Sequence, residues 1–400
     1  MNGLTDELHA RPTIYFDGPA YIEHVALMLD RLPASWAAHT TFDIGGERHD
    51  WPHTRVEFHT EFVTVTKIRK LTNDLTSWPR SDLPIAAAED LAGVGRSKLI
   101  CRSAIVVQSP VKKVSEVIRD FGFGNVTASV VGEGGAQVCS DFQASGEYTS
   151  RILLLNADLN KFRLGRMVRQ LFEIETYRAM ALLGLPEAWR LGPILSQYDA
   201  MLVDLSNRHV TTPATKHREL LEEISALSAR VISAAAETRN RFSATSAYAR
   251  IVEDRISELR ERRVPEFQRY GMFITRGFQP AVRTCEATSH RLMQLSAATS
   301  HLLDLLQTRI QVEIEFQNAR QIQAVADRSA AQLKIQRAVE GFSIIAISYY
   351  LLSLMRFAVE TLDQAGIHVS NMVTLGAIPV VIVSVAISIS RVKRALARTD

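Results

Sequence analysis

The end of the chain constrains the fold most, because two long stretches without charged side chains follow one another there. The first stretch, 341–355, reads GFSIIAISYYLLSLM and continues as apolar residues beyond Arg356. The second stretch, 364–390, contains no Asp, Glu, Lys or Arg in 27 residues. A membrane-spanning helix needs roughly 20 mostly apolar residues. The sequence therefore predicts two transmembrane helices, at about 341–359 and 369–390.

The charges that flank these stretches predict their orientation. Lys334 and Arg337 precede the first stretch, four basic residues occupy the tail 391–400, and the connecting loop carries Glu360 and Asp363. Basic flanks stay on the cytoplasmic side of a membrane. We therefore expect a protein of the bacterial inner membrane with both termini in the cytoplasm. The alternative, a buried hairpin in a large soluble core, is not favoured by two such runs in succession.

The overall composition limits the partners and the chemistry. There are 46 Lys and Arg against 43 Asp and Glu, so the net charge is only +3. A nucleic-acid-binding protein usually has a strong basic excess, and we expect no nucleic-acid partner. Three cysteines are too few for a disulfide framework or a four-cysteine zinc site. The mean hydropathy of zero is the average of a polar body and an apolar end.

The middle of the chain, 201–340, has the pattern of a long-helix stalk. No Gly or Pro occurs between Pro213 and Pro265 or within 281–340, and apolar residues recur there at helical spacing. Residues 266–280 contain two glycines and a proline, which predicts the turn of an antiparallel helical hairpin. Such a stalk either transmits movement to the membrane or is a passive spacer.

The first 200 residues predict a mixed α/β domain. Runs rich in β-branched and aromatic residues indicate strands, and the Gly132–Gly135 tetrapeptide indicates a turn without the spacing of a nucleotide-binding loop. The predicted strands are 55–68, 99–108, 126–131, 136–143 and 148–155, and the predicted helices are 110–120 and 158–183. The expected fold is thus an α+β cytoplasmic domain, a stalk of long antiparallel helices and a two-helix transmembrane hairpin.

Polar residues in the body suggest few chemical roles. Six of the eleven histidines lie in the first 60 residues, but without metal-ligand spacing, so a metal site, a polar ligand pocket and structural histidines all stay open. In the predicted helix 158–183, Arg166, Arg169, Glu173 and Tyr177 share one face, which favours an ion-pair network. No catalytic motif is present, so we expect neither an enzyme nor a cofactor.

The predicted membrane helices contain a polar seam. In the first helix a tyrosine, a serine and an arginine share a face with Glu360, and in the second two serines do the same. The seam either lies between helices or around a pore, or Arg356 is only an interfacial anchor. The candidate seam residues are Tyr349, Tyr350, Ser353, Arg356, Ser384 and Ser388.

Several short motifs resemble those of a bacterial family of membrane-anchored proteins with a domain of unknown function. They are DELHARP at 6–12, HTEF at 59–62, EIETYR at 173–178 and EGFS at 340–343. The resemblance covers nearly the whole chain and implies membrane anchorage without a known activity. It marks, as candidate ligand-binding or structural residues, His9, Arg11, His59, Glu61, Arg166, Glu173, Glu175, Tyr177 and Arg178.

The order of the segments is also similar to that of CorA-type magnesium channels, which are pentamers. Those channels carry a Gly-Met-Asn motif that this chain lacks, its nearest equivalent being Asn371-Met372. Two function hypotheses follow. The first is a membrane-anchored oligomeric scaffold or sensor that faces the cytoplasm. The second is a CorA-like pentameric ion channel or transporter without that selectivity motif; neither hypothesis names an ion or a small ligand.

Overall fold

A computed structural model describes residues 14–29, 41–44, 53–110, 114–364 and 371–396. Within these ranges a mixed α+β domain is followed by long helices, as the sequence predicts. Nine strands form one sheet. They are Ala20–Met28 (β1), Thr41–Ile44 (β2), His53–Phe58 (β3), Phe62–Lys70 (β4), Lys98–Gln108 (β5), Thr127–Val131 (β6), Ala136–Ser140 (β7), Ser150–Asn156 (β8) and Arg262–Arg263 (β9).

The sheet is mostly antiparallel. Its strand order is β2-β3-β4-β1-β5-β8-β7-β6-β9, and the β5–β8 pair is parallel. β1 lies in the middle, between β4 and β5, and its His24 is opposite Thr66 on one side and Ser103 on the other. Side chains that alternate along a strand point to opposite faces. A polar group on β1 is therefore buried whichever face it occupies.

The predicted single strand 55–68 is two strands. β3 and β4 form an antiparallel hairpin in which Phe58 is opposite Val63, and the N–H of His59 donates to the carbonyl of Phe62 over 2.8 Å. The run of β-branched and aromatic residues hides this break, because its turn residues carry neither Gly nor Pro. The HTEF motif at 59–62 is consequently the tip of a hairpin.

Helices cover one face of the sheet, and loops with two short helices cover the other. Ile22 and Ala26 of β1 belong to the larger core, which includes apolar residues of three long helices. Tyr21 and Val25, on the opposite face, belong to two smaller cores. The helices are Ile85–Ala92 (α1), Val114–Asp120 (α2), Lys161–Leu182 (α3), Leu185–Thr211 (α4), His217–Glu258 (α5), Tyr270–Gln364 (α6) and Asn371–Leu396 (α7).

The central helix of the larger core is α3. Asn160 caps its start, because the side-chain oxygen accepts from the backbone N–H groups of Phe162 and Arg163 at 3.2 and 3.0 Å. One turn later, Gly165 touches the backbone of Ile14 so closely that a Cβ there would lie 1.6 Å from the Ile14 oxygen. Glycine is required at this position for close approach, which fixes α3 against the first described residue.

The turn expected at 266–280 is shorter and lies earlier. α5 ends at Glu258, β9 joins the sheet through β6, and α6 starts at Tyr270. Gly271 and Pro280 are therefore helical, although both are typical turn residues. A Cβ on Gly271 would lie 2.5 Å from Ile256 Cγ2, so this glycine permits close packing of two helices.

The chain divides into two compact units, Met1–Asp304 and Leu305–Asp400. This division differs from the expected boundaries at 200 and 340, since α4 continues across 200 and the first part of α6 packs in the larger core. By length and composition, one described helix, Tyr270–Asp363, could cross a membrane, with a window of mean hydropathy 1.7 that is 6% buried. The apolar part of α7, Leu375–Arg391, is shorter.

Candidate functional site

A small cavity lies between the β3–β4 hairpin and α3. Its volume is about 30 Å³, the space of one or two water molecules. Five aromatic or imidazole rings and several hydroxyl and charged groups form its wall. The lining residues are Ile14, His24, Glu57, His59, Phe62, Thr64, Thr66, Arg169, Phe172, Glu173, Thr176 and Tyr177.

His24 forms the inner wall of the cavity. Its Nδ1 is 2.8 Å from Thr66 Oγ1 and its Nε2 is 3.0 Å from Thr176 Oγ1, while its ring stacks on Phe172 with centroids 4.5 Å apart. Burial, and secondarily the charge of Arg169, lower the pKa of His24 to about 3. The imidazole is therefore neutral at physiological pH, and each hydroxyl holds one of its nitrogens.

An ion-pair network lines the outer wall. The Nε of Arg169 donates to Glu173 over 2.8 Å, and its Nη1 is 3.6 Å from a Glu57 oxygen. Glu173 also accepts from Arg255 of α5. Burial disfavours the charge of Arg169, but Glu57 and Glu173 outweigh that effect and raise its pKa. The network holds the edge of the sheet, α3 and α5 together through partly buried charges.

Aromatic rings close the cavity at the hairpin tip. The rings of His59 and Phe62 stack at 4.2 Å, and Tyr177 meets the edge of each. Tyr177 also stacks on Tyr248 of α5 at 5.5 Å. At the same tip, Glu61 accepts from Arg241 of α5 over 3.1 Å. HTEF and the tyrosine of EIETYR thus meet in one aromatic cluster that reaches α5.

Glu175 and Arg178 belong to a different cluster. Glu175 is almost fully buried and accepts from Arg178 over 2.6 Å. The Glu175 carboxylate raises the pKa of Arg178, and burial raises that of Tyr270, the first residue of α6. The neighbouring Cys101 is 3.4 Å from the Thr176 hydroxyl, and burial raises its pKa to about 12. This cluster joins α3 to the start of α6 and does not line the cavity.

The sequence-derived site residues therefore separate into groups. His59, Glu173 and Tyr177 line the cavity, Glu61 lies at its edge, and Glu175 and Arg178 face the start of α6. Arg166 is exposed on α3. His9 and Arg11 lie outside the described residues. The candidate seam residues Tyr349, Tyr350, Ser353, Arg356, Ser384 and Ser388 are all exposed on α6 and α7.

The sequence pattern does not reveal the partners of His24. Thr66 and Thr176 are inconspicuous residues, and they meet His24 only through strand pairing and the packing of α3. The one available signal was the position of His24 within the apolar run AYIEHVALM, where a polar residue must find partners once buried. His24 was noted among the clustered histidines without an assigned role.

A second buried network, on the opposite face of the sheet, was also missed. Arg102 of β5 is fully buried; its Nη2 donates to the Leu83 carbonyl over 2.7 Å and lies 3.4 Å from Glu23. The Tyr148 hydroxyl donates to the same Glu23 oxygen over 2.8 Å, and the Arg102 guanidinium lies over the Tyr148 ring. No described cavity adjoins these groups, so their contacts stabilise the loops on that face.

Within the described ranges, no three His, Cys, Asp or Glu side chains are grouped so that they could hold a metal ion. A protein-family model described as "Protein of unknown function (DUF3422)" matches residues 2–396. The comparison with curated proteins found no match.

Proposed function

Since the chain belongs to DUF3422, a family of proteins of unknown function, we propose a function from its own residues. The protein is a membrane-anchored oligomeric scaffold or sensor whose α+β domain faces the cytoplasm of a bacterium. Residues 341–359 and 369–390 are its two transmembrane helices, and the tail 391–400 is cytoplasmic.

The observation that carries this proposal is the exposure of the apolar window in α6. Phe342, Ile345 and Phe357 are each about two-thirds or more exposed, as are many of their neighbours. Leaving apolar surface in water costs roughly 25 cal/mol per Å². A contiguous patch of this kind marks a membrane or protein contact. The near absence of charge over more than 15 residues favours lipid.

A groove between α6 and α7 supports a helical hairpin. Ile347 and Leu351 of α6 and Val381 and Val385 of α7 line the same space, whose volume is about 390 Å³. Ser348 and Val385 are buried. Two helices that pack side by side over this depth are an arrangement that spans a bilayer with all backbone groups paired.

The sensor role rests on contacts of α3 in the first unit. Residues at the cavity wall and their neighbours one turn away contact both α5 and the start of α6, through Tyr177–Tyr248 and Glu175–Tyr270. A ligand or a change of charge at the cavity would therefore act on the helix that leads towards the membrane. Whether the role is sensing or scaffolding, the cavity residues set the packing of α3.

Fractionation and cysteine labelling of the full-length protein test the anchorage and its orientation. The native Cys101, Cys139 and Cys285 are buried, so an introduced cysteine gives the signal. In bacterial spheroplasts, we expect Asp363→Cys to react with a membrane-impermeant maleimide and the exposed Ser329→Cys to react only after permeabilisation. Extraction of the protein by alkaline carbonate would contradict anchorage, and the reverse labelling pattern would contradict the orientation.

One observation favours a second candidate function, a ring-shaped ion channel of the CorA-like kind. Arg356 is 83% exposed within an apolar segment and lies 3.1 Å from Glu360. Charged residues within a bilayer face water or a partner. Because two helices of one chain cannot enclose a pore, this function requires a ring, and a monomer or dimer in detergent would exclude it.

A further inference from the structure

The part of α6 between residues 305 and 340 has no packed partner in the second unit. Nearly every side chain from Gln307 to Val339 is exposed, and Val312 and Leu333 are 60% and 55% exposed. A helix without tertiary packing is marginally stable in water. Another chain must therefore cover this segment in the folded protein.

Two seams of apolar and small residues run along the segment at heptad spacing. Seam A includes Ile310, Ile314, Ala324, Ala331, Ile335 and Ala338. Seam B includes Leu305, Val312, Phe316, Ala319, Ala326 and Leu333.

The two seams point in nearly opposite directions. Ala324 of seam A and Ala326 of seam B are two residues apart, which is about 200° of rotation around an α-helix. Between the seams, charged residues repeat every seven positions as Glu313, Arg320, Asp327 and Lys334. One helix can therefore contact a neighbour on each of two flanks while its charged stripe stays in water.

We propose that residues 305–340 bind two further copies of this chain, with seam A of one copy packed against seam B of the next. The inference deepens the oligomeric part of the proposed function and rests on it. If all copies enter the membrane near residue 341 in one orientation, their α6 helices are parallel and in register. The seams then meet at the same height along the whole segment.

The available area favours contacts on both flanks. Thirty-six residues of helix are about 54 Å long, and a seam about 10 Å wide offers on the order of 500 Å² per helix, whereas stable interfaces bury about 800 Å² per partner. One seam falls short of that size and two seams exceed it. A head-to-tail contact of this kind generates a closed ring when its rotation closes.

Disulfide cross-linking in membranes tests the pairing of the seams. The full-length double variant Ala324→Cys, Ala326→Cys places one thiol on each seam at nearly the same height, too far apart around one helix to join each other. Under mild oxidation we expect a ladder of dimers, trimers and larger species. Each single variant should stay monomeric on a denaturing gel, as should the matched control Ala324→Cys, Asp327→Cys, which uses the charged stripe.

Each other outcome overturns the proposal in a defined way. Dimers formed by either single variant would mean that like seams meet, and a double variant without a ladder would mean that the seams do not bind copies of this chain. Membrane fractionation of the same samples separates this result from a failure of anchorage. Protein that pellets with membranes but does not cross-link refutes the seams alone.

Discussion

The Nε2 of His24 lies 3.0 Å from the hydroxyl oxygen of Thr176, although 152 positions separate the two residues. With Thr66 on its other nitrogen, the imidazole is held between the central strand of the sheet and α3. This contact fixes the depth of the helix on the sheet, and α3 in turn holds the ion pairs and the aromatic cluster around the cavity.

Acidification should destabilise the protein through His24. Its pKa is lowered from 6.5 to about 3, so between these values the unfolded chain binds a proton that the folded chain does not. Stability therefore falls as the pH is lowered from about 6.5 towards 3, by about 2–3 kcal/mol at pH 4.5. His24→Gln removes this contribution.

Thermal melts of detergent-solubilised protein between pH 7 and pH 4.5 measure the effect. We expect His24→Gln to be less stable than the wild type at pH 7 but to lose less of its melting temperature on acidification. Equal losses in the two proteins would show that His24 does not carry the pH dependence.

Neutralising Glu173 should be costly, because its carboxylate holds two arginines. Glu173→Gln leaves Arg169 and Arg255 partly buried without their shared partner. We expect a loss of about 2–3 kcal/mol in the free energy of unfolding. The matched control is Glu187→Gln, which breaks the exposed pair with Arg190 and should cost less than about 1 kcal/mol. Similar losses in both variants would mean that the cavity network is not a special point of stability.

A methyl group at Gly165 should separate α3 from the start of the described chain. Gly165→Ala places a Cβ within 1.6 Å of the Ile14 oxygen, and such overpacking costs about 1–3 kcal/mol or more. Gly192 of α4 has open space around it, so Gly192→Ala should be neutral or stabilise by up to about 1 kcal/mol. Denaturation midpoints compare the two, and an equally tolerated Gly165→Ala would contradict the close contact.

Removal of the Arg356 charge distinguishes a polar seam from a simple anchor. If Arg356 faces a neighbouring subunit, Arg356→Ala should lower the resistance of the oligomer to dissociation in detergent, read as its mass by light scattering. The control Arg218→Ala removes an arginine that is 90% exposed in the first unit. Unchanged oligomer mass and unchanged ion flux in vesicles would leave Arg356 as an interfacial anchor.

Local patterns were sufficient for much of the architecture. The charge-free stretches near the end, the Gly- and Pro-free helical runs and most of the strands follow from short-range periodicity, because burial imposes the repeat of each element on neighbouring residues. The same patterns led to one strand at 55–68 where there are two, and to a turn at 266–280 where α6 already begins. Turn residues without Gly, and glycines needed for close packing, are locally indistinguishable from their opposites.

The meeting of distant groups was decided by tertiary structure alone. Strand register brings Thr66 beside His24, and the packing of α3 adds Thr176 and joins the HTEF and EIETYR motifs around one cavity. It also separates Glu175 and Arg178 from Glu173, although all three lie within six residues. The amino-acid order specifies which side chains must be buried, but their partners depend on which surfaces pack together, and that is a property of the whole fold.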